Sequence, residues 1–387
     1  MNILFCYDSP FSRDYGGVAA VSVTLMNGFS NHGHVCYGLS IHRAQNKGGV
    51  WERQSYLPHD TKDHKNKENK AFFQRFIKDN SIDVIINQNG ISQSSEWAIL
   101  WGAELGVKVL TVYHNSLRSL FSCHDKRITD NTLVKKLHLQ AFIDWLWRCF
   151  FRVKYKPMFR RSIELSDKVV LLSTHYFSEL AWFSGVKQNE KYVAIPNPAL
   201  ERFNVSLEDL KKENVILFVG RLAEQKRVDY LLEIWQRIAD VHQDWELIIV
   251  GNGVLHDNLK QIVVSQQIPR VSFEGQCDPL PYYKRASLFC MTSSFEGFPG
   301  VLTESMSCGC VPIVFNSFAC APDIIDDEEN GYLIKPFSIE SYTQHLEVLM
   351  EDDSRRQEMA KKAKIKSESF SLDKVVEMWE KAFCTKR

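Results

Sequence analysis

The sequence lacks several features that define whole classes of proteins. No segment approaches the roughly 18 consecutive apolar residues that a membrane-spanning helix needs. No basic stretch followed by an apolar run opens the chain, so we expect no secretory leader. The ten cysteines include no C-x-x-C pair, which argues against a zinc ribbon or disulfide scaffold in a chain of 387 residues. We therefore expect a protein of the reducing cytoplasm. The lack of internal repeats excludes a solenoid.

The chain also lacks net charge, but the two halves are charged oppositely. Up to Asn197 there are 25 Lys and Arg against 17 Asp and Glu, whereas the remainder has 22 against 30. Residues 126–161 hold the whole excess of the first half, with ten basic side chains against two acidic ones. A nucleic-acid-binding protein would be basic more broadly, so we expect no nucleic acid partner and a local anionic partner instead.

Short runs rich in β-branched and aromatic residues alternate with helical stretches, a pattern typical of parallel α/β folds. Pro196 and Pro198 interrupt regular structure between two such halves, and a polar stretch follows them. The sequence therefore predicts two doubly wound Rossmann-like domains, residues 1–197 and 214–370, with a linker at 198–213 and a last helix at 371–387. Because such sheets bind ligands at their strand carboxyl ends, we expect both domains to face a central cleft.

The most informative segment is Ser294–Ile313, with the sequence SFEGFPGVLTESMSCGCVPI. Its glycines and proline favour a loop that turns into a helix near Gly300, which places Glu296 in the loop and Glu304 in the helix. We expect the free amides of Phe298, Gly300, Val301 and Leu302 to attract negative charge. Two carboxylates beside such amides suit a ligand with an anionic middle and hydroxylated ends, and a nucleotide sugar has that layout.

The second segment is FVGRLAEQKRVD, residues 218–229. A hydrophobic strand ends at Gly220, and Arg221 and Lys226 follow before the next helix. Arg can bind two phosphate oxygens and Lys adds a point charge, so both side chains suit a diphosphate. The alternative is that both are ordinary surface charges at a strand end.

Two weaker signals come from the first half. Asp14–Val18 (DYGGV) follows the first strand, and its paired glycines would let the backbone approach a ligand. His114 follows a later strand in TVYHNSL and would face the cleft. The G-x-G-x-x-G fingerprint occurs neither here nor at Gly251–Gly253, which disfavours nicotinamide binding. A tight turn and a structural histidine are the alternative interpretations.

Together GRLAEQK, FEGFPGVLTESMSCGCVPI, NGYLIKP and FSLDKVVEMWEKAF resemble glycosyltransferase family 4, the retaining enzymes of GT-B architecture. The resemblance covers the second half nearly end to end and the first half more loosely, through GGV, YHNS and IPNP. It implies an α/β GT-B fold of two Rossmann-like domains, with the last helix crossing back to the amino-terminal domain. It also implies metal independence, because the family lacks an Asp-x-Asp motif and this chain has none.

Carried over by position, the resemblance implies that Arg221 and Lys226 bind the donor diphosphate and that Glu304 binds the ribose. Gly17 would let a loop of the first domain meet the diphosphate. Arg227 stands where many members have Gly, and little consequence is expected. UDP is the expected nucleotide because uridine is the commonest base among relatives.

The resemblance further implies that Glu296 and the amides at Phe298, Gly300 and Val301 bind the donor sugar, with His114 beside it on the acceptor side. Glu296 and His114 are thus the candidate catalytic residues. Family members retain anomeric configuration through same-face attack, in which the departing phosphate helps deprotonate the acceptor. No dedicated enzyme nucleophile and no cofactor are then needed.

The acceptor side is marked by an aromatic and basic segment at residues 137–161, where one helical arc carries Phe142, Trp145 and Phe150. Pro157 is expected to end this helix. Such a mixture can lie on an anionic membrane surface, and relatives extend lipid-linked glycans on the cytoplasmic face. A helix packed into the core of the first domain, with a basic solvent side, is the alternative.

These observations predict a glycosyltransferase that moves a hexose or N-acetylhexosamine from a UDP-sugar to a glycan or lipid-linked acceptor. It would act in the cytoplasm, on the inner face of the membrane. Two alternatives remain open: a non-catalytic nucleotide-sugar-binding subunit of a glycan-assembly complex, and a nucleotide-sugar epimerase of GT-B shape.

Overall fold

The computed structural model describes residues 1–45, 49–90, 96–117 and 140–384. The chain divides into two compact units. The amino-terminal unit comprises residues 1–198 together with the segment that starts at Leu372, and the carboxy-terminal unit comprises residues 199–371. Each unit is built on one parallel sheet with helices packed against it.

The described strands of the amino-terminal unit form a seven-stranded sheet in the order β3-β2-β1-β4-β5-β6-β7, with every neighbouring pair parallel. The strand order reverses between β1 and β4, as in doubly wound sheets. The strands are β1 (Asn2–Tyr7), β2 (Val35–Ser40), β3 (Gln54–Tyr56), β4 (Val84–Asn87), β5 (Lys108–Tyr113), β6 (Lys168–Leu171) and β7 (Tyr192–Ala194). The helices between them are α1 (Gly17–Asn31), α2 (Lys67–Asp79), α3 (Glu96–Glu104), α4 (Gln140–Leu165) and α5 (Phe177–Ser184).

The carboxy-terminal unit repeats this plan with a six-stranded parallel sheet in the order β10-β9-β8-β11-β12-β13. The strand order reverses between β8 and β11. The strands are β8 (Glu213–Val219), β9 (Glu246–Val250), β10 (Val271–Gly275), β11 (Ala286–Met291), β12 (Val311–Phe315) and β13 (Tyr332–Ile334). The helices are α6 (Val228–Ile238), α7 (His256–Ser265), α8 (Leu280–Arg285), α9 (Gly300–Ser307), α10 (Ala321–Ile324), α11 (Ile339–Glu351) and α12 (Asp353–Ser367).

Both sheets are held by apolar packing on their two faces. The central strand β8 reads ENVILFV, and its last five residues are buried. Strands covered by helices on both sides have such continuous hydrophobic runs, because neither face meets water. Leu231 and Trp235 of the amphipathic helix α6 pack in one buried cluster with Ile216 and Phe218 of β8.

The last helix, α13 (Leu372–Cys384), belongs to the amino-terminal unit although the chain reaches it from the carboxy-terminal unit. Trp379 and Phe383 on its buried face pack against Phe29 of α1, with ring centroids 6.5 and 5.5 Å away. Glu380 accepts hydrogen bonds from His34 at 2.8 Å and His32 at 3.2 Å. The predicted return of the terminal helix is therefore confirmed.

The segment that the sequence suggested as a linker, residues 198–213, is placed with the carboxy-terminal unit from residue 199 onward. The ring of Phe203 is buried against Tyr283, with centroids 5.5 Å apart. Lys212 donates hydrogen bonds to the carbonyls of Tyr283 at 2.9 Å and Ala286 at 2.7 Å. These contacts tie a mostly polar stretch to the body of the unit.

Helix α4 differs from the expectation that Pro157 would end it, because the helix continues through Pro157 to Leu165. Proline removes one intrahelical hydrogen bond. Phe159 and Ile163 beyond it are nevertheless buried in the unit, so tertiary packing keeps this part of the chain helical. Residues 137–139 of the predicted aromatic and basic segment lie outside the described residues.

Replacing Gly28 with Ala would test how closely α13 packs on α1. A Cβ at this position would lie 2.7 Å from Cγ2 of Val376 and 2.8 Å from Cδ1 of Leu372. Ala favours a helix over Gly by about 1 kcal/mol, but overpacking costs about 1–3 kcal/mol. We therefore expect a lower free energy of unfolding, measured by urea denaturation. Asn27→Ala, at an exposed position of the same helix, is the control, and equal effects in the two variants would contradict the close packing.

Candidate functional site

The candidate site of the carboxy-terminal unit lies where its strand order reverses. Strands β8 and β11 are neighbours, and their helical connections lead to opposite sides of this point. Loops that leave the carboxyl ends of two such strands diverge and leave a crevice for a ligand. Here these loops are residues 220–227 and 292–299, and they carry four of the predicted site residues, Arg221, Lys226, Glu296 and Phe298.

The two loops are joined by hydrogen bonds. The Thr292 hydroxyl donates to the carbonyl oxygens of Lys226 at 3.1 Å and Arg227 at 2.8 Å. The amide and hydroxyl of Ser294 both donate to the carbonyl of Gln225, at 2.8 and 3.0 Å. The Gln225 side chain donates in return to the carbonyl of Phe295 at 2.8 Å. These bonds fix the backbone beside Lys226 and Glu296, and no pattern in the sequence predicted them.

Lys226 and Glu296 form an ion pair, with Nζ and Oε1 2.6 Å apart. The two side chains are 15% and 9% exposed, so water screens the pair weakly. The sequence assigned Lys226 to a diphosphate and Glu296 to a sugar. The structure brings the two groups into direct contact, and their assignment to a ligand stays a prediction.

The loop after β9 also approaches this site through two glycines. Gly251 has φ of 136°, and a Cβ there would lie 1.9 Å from the carbonyl oxygen of Gly220. A Cβ at Gly253 would lie 2.3 Å from the carbonyl oxygen of Leu222. These glycines let the backbone after β9 lie against the loop that carries Arg221, which is exposed. The absence of a side chain at both positions therefore allows two backbone segments to pack closely.

Helix α9 begins at Gly300, as the sequence predicted, with Pro299 as the residue before it. The amides of Gly300 and Val301, in its first turn, have no partner within the helix by geometry. The sequence predicted a free amide at Leu302 as well, but this amide donates to the carbonyl of Pro299 at 3.0 Å. The ring of Phe298 is buried against Phe370, with centroids 5.4 Å apart, so its side chain anchors this turn.

Glu304 lies on the first turns of α9, and its Oε1 would be 3.7 Å from a Cβ at Gly300. Its other oxygen accepts a hydrogen bond from the Tyr283 hydroxyl at 3.2 Å. Burial raises the pKa of Glu304 from its ordinary value of 4.5 to about 7, and the Tyr283 hydrogen bond acts against that rise. Tyr283 was missed from the sequence, because nothing local indicates that a Tyr in a short helix reaches Glu304.

Arg227 has a larger structural role than expected. It adopts the left-handed conformation, with φ of 47° and ψ of 45°. This region costs a non-glycine residue about 1–2 kcal/mol. Arg227 compensates by donating to Asp229 at 2.8 Å and by stacking over the ring of Tyr230 at 3.5 Å.

Two predicted site residues belong to the amino-terminal unit. Gly17 is the first residue of α1, after Gly16, whose φ of 96° favours glycine. A Cβ at Gly17 would meet no heavy atom within 4 Å, so internal packing does not explain this glycine.

His114 follows β5, and its Nε2 lies 2.5 Å from Oε1 of Gln88, which follows the neighbouring strand β4. Burial lowers the pKa of His114 to about 4, so the imidazole is neutral at physiological pH. Gln88 was also missed, although its position directly after a buried strand is a signal that could have indicated it.

The described ranges contain neither a membrane-spanning helix nor a cluster of metal ligands. No helix there combines the length and hydrophobicity needed to span a bilayer. The described histidines, cysteines and carboxylates likewise form no group of three or more that could bind a metal ion.

The comparisons with known proteins agree with this picture. Residues 201–366 match the family model for glycosyl transferases group 1, a range that contains both loops and helix α9. An uncharacterized glycosyltransferase of Haemophilus influenzae is 26% identical over 375 residues, which cover 94% of this chain and 95% of that protein.

A second relative, from Campylobacter jejuni, is N-acetylgalactosamine-N,N'-diacetylbacillosaminyl-diphospho-undecaprenol 4-alpha-N-acetylgalactosaminyltransferase. It is 31% identical over 175 residues, 44% of this chain and 47% of that protein. The structure is similar to that of Anabaena HepE in complex with UDP, with a TM-score of 0.74 at 15% identity, covering 98% of this chain and 99% of that chain. The fold is GT-B, as predicted, and the matches together support a GT-B glycosyltransferase.

The raised pKa of Glu304 predicts that Glu304→Gln stabilises the nucleotide-free protein at high pH. A protein with a carboxyl whose pKa is about 7 in the folded state and 4.5 in the unfolded state becomes less stable as the pH rises between these values. We expect Glu304→Gln to raise the free energy of unfolding by about 1–3 kcal/mol at pH 8 and little at pH 4. Urea denaturation at both pH values measures this. The exposed Glu351→Gln is the control, and a pH-independent effect of Glu304→Gln would exclude the shift.

Proposed function

We propose that this protein is a retaining glycosyltransferase of family 4. It transfers a hexose or N-acetylhexosamine from a UDP-sugar to a glycan or lipid-linked saccharide in the synthesis of a surface polysaccharide or glycoconjugate. No metal ion takes part. The observation that carries the proposal is the convergence of Arg221, the Lys226–Glu296 pair and the amino-terminal end of α9 where the strand order reverses.

The charges at this point suit a diphosphate that leaves from a sugar. Exposed Arg221 and half-buried Lys226 supply two cations from one loop. The amides of Gly300 and Val301 add partial positive charge at a helix amino-terminus. When the glycosidic bond breaks, negative charge grows on the diphosphate, and preorganised cations and amides stabilise it without having to reorient.

The proposed reaction breaks the bond between C1 of the sugar and the β-phosphate oxygen and forms a bond from C1 to the acceptor oxygen. The acceptor's proton passes to the departing phosphate oxygen on the same face, so configuration is retained. Glu296, held by Lys226, accepts hydrogen bonds from sugar hydroxyls. The amide nitrogens near Phe298 donate to the same sugar.

The amino-terminal unit contributes Gly17 and His114 in this proposal. The amide at the start of α1 binds a diphosphate oxygen, because Gly17 leaves the backbone accessible. His114 is neutral at physiological pH, since its pKa is about 4. It therefore acts on the sugar through hydrogen bonds and contributes no cationic charge.

The names of the similar proteins favour UDP as the nucleotide and a lipid-linked saccharide as the acceptor. HepE is crystallised in complex with UDP, and the name of the Campylobacter enzyme specifies a diphospho-undecaprenol acceptor. For this chain, UDP and a lipid-linked acceptor are therefore the first substrates to test. The order of trial is UDP-glucose, UDP-galactose and their N-acetyl forms.

Donor binding is tested by Arg221→Ala. Removing charged hydrogen bonds worth about 1.5–3 kcal/mol should raise the Kd for UDP tenfold or more in calorimetry. Arg237→Ala, in an exposed intrahelical pair of the same unit, is the matched control and should leave the Kd unchanged. Glu296→Gln should chiefly lower the transfer rate, because its partner is the sugar. UDP affinity in Arg221→Ala equal to that of the wild type would refute the diphosphate assignment.

The other two candidate functions are separated by the products. A non-catalytic binding subunit would bind the UDP-sugar but release no UDP with any acceptor. An epimerase would convert the donor without an acceptor. Release of UDP that depends on the acceptor, measured by a coupled assay with and without EDTA, supports a metal-independent transferase.

We also propose that helix α4 brings the protein to the cytoplasmic face of the membrane. One face of its first half carries side chains that are 46–76% exposed, and they are Phe142, Trp145, Leu146, Phe150 and Val153. Arg148, Lys154 and Lys156 on this helix are also exposed. Apolar side chains beside basic ones suit the interface of an anionic bilayer.

Flotation with vesicles tests the membrane proposal. The protein should float with phosphatidylglycerol vesicles at low salt, and less with phosphatidylcholine or at high salt, because the basic side chains need anionic lipid. The double variant Trp145→Ser and Phe150→Ser should lose this binding. Val264→Ser, which changes an exposed apolar residue elsewhere, should keep it. Equal flotation of both variants would exclude helix α4 as the contact.

A further inference from the structure

Tyr283 is a fully buried tyrosine whose ring is held rigidly. It lies in the short helix α8, between Phe203 and Phe289, with ring centroids 5.5 and 6.0 Å away. The contact with Phe203 is edge-on, a favourable aromatic geometry. The ring therefore has little freedom to move, and the hydroxyl has one direction in which to point.

The backbone of Tyr283 is fixed as well. Its carbonyl accepts hydrogen bonds from Lys212 Nζ at 2.9 Å and from the Cys310 thiol at 3.2 Å. Lys212 thereby satisfies carbonyls at the end of α8 that have no partner within the helix. The Lys212 ammonium and the buried Cys310 thiol thus hold the backbone from which the tyrosine side chain projects.

The hydroxyl of Tyr283 meets only one side of the Glu304 carboxylate. It donates to Oε2 at 3.2 Å, whereas Oε1 is directed towards Gly300 at the start of α9. Gly300 has no side chain to fill the space beside Oε1. One oxygen is therefore committed to Tyr283, and the other faces the turn that carries the amides of the candidate site.

We infer that Tyr283 is a positioning residue for nucleotide binding: its hydroxyl orients the Glu304 carboxylate, so that Glu304 can accept hydrogen bonds from the ribose hydroxyls. This inference rests on the proposed function, in which Glu304 binds the ribose. Tyr283 itself does not touch the nucleotide.

The charges around Glu304 make the hydroxyl of Tyr283 important. Arg202 favours the ionised carboxylate and Asp278 opposes it, but these two side chains pair with each other. Burial is the largest influence on Glu304 and raises its pKa to about 7, while the Tyr283 hydrogen bond lowers it. Burial also raises the pKa of Tyr283 well above its usual value, so its hydroxyl keeps the proton that it donates.

The first test of Tyr283→Phe needs no ligand. The thermal midpoint of the nucleotide-free wild type should fall as the pH rises from about 4.5 to about 7 and level off above, because Glu304 ionises at lower pH in the unfolded chain. In Tyr283→Phe the fall should continue to higher pH, because the lost hydrogen bond raises the pKa of Glu304. Glu304→Gln should abolish it. Tyr342→Phe, which removes a hydroxyl bonded to the Ile313 carbonyl in the same unit, should leave its position unchanged.

The second test measures UDP affinity by calorimetry between pH 6 and 9. Tyr283→Phe should bind UDP at least fivefold more weakly at pH 7 than the wild type, and the difference should shrink at pH 9. With 2′,3′-dideoxyuridine diphosphate, which has no ribose hydroxyls to donate, the variant and the wild type should bind alike. Tyr342→Phe should follow the wild type with both nucleotides.

The outcomes separate this inference from the proposed function. If the wild type prefers UDP to its dideoxy form but Tyr283→Phe behaves identically, Glu304 binds ribose without help from Tyr283 and the inference is wrong. A pH-independent loss of affinity for both nucleotides would show a merely structural role. If the wild type binds neither nucleotide, the proposed function fails and the inference fails with it, even where the ligand-free shift is observed.

Discussion

The candidate site depends on hydrogen bonds that tie the loop after β8 to the loop after β11. Thr292 and Ser294 donate to backbone carbonyls of the loop that carries Lys226, and Gln225 donates back. Without these bonds the two strand-end loops would diverge, since their helices leave on opposite sides of the sheet. With them, a lysine and a glutamate that are 70 residues apart in the sequence form a partly buried ion pair.

The candidate site contains groups that burial or backbone strain disfavours. Glu304 is held where its pKa is raised to about 7, which costs folding stability at neutral pH but leaves a strong acceptor beside a helix amino-terminus. Arg227 occupies a strained backbone conformation directly after Lys226. Strain and desolvation are tolerated here because the surrounding contacts, Tyr283 and Asp229 among them, compensate in part.

The sequence predicts secondary-structure elements better than it predicts contacts between side chains. Alternating buried strands and amphipathic helices predicted both doubly wound sheets, and Gly300 was identified as the start of α9. The expectation that the helix ends at Pro157 was wrong, because burial of Phe159 and Ile163 outweighs the low helix propensity of proline. The short helix α8 was not predicted, since six residues carry too little periodic pattern. The assignments of Arg221, Glu296, Glu304 and His114 to a ligand stay predictions.

The sequence by itself determined the two-unit α/β plan, because hydrophobic periodicity and proline positions act locally and can be read along the chain. It also indicated which charged residues follow strand ends. Only the tertiary structure decided their partners: Lys226 with Glu296, Tyr283 with Glu304, and Gln88 with His114. These pairings depend on the order of strands in the sheets and on atomic positions defined to within a few tenths of an ångström. Neither can be read from the spacing of residues along the chain.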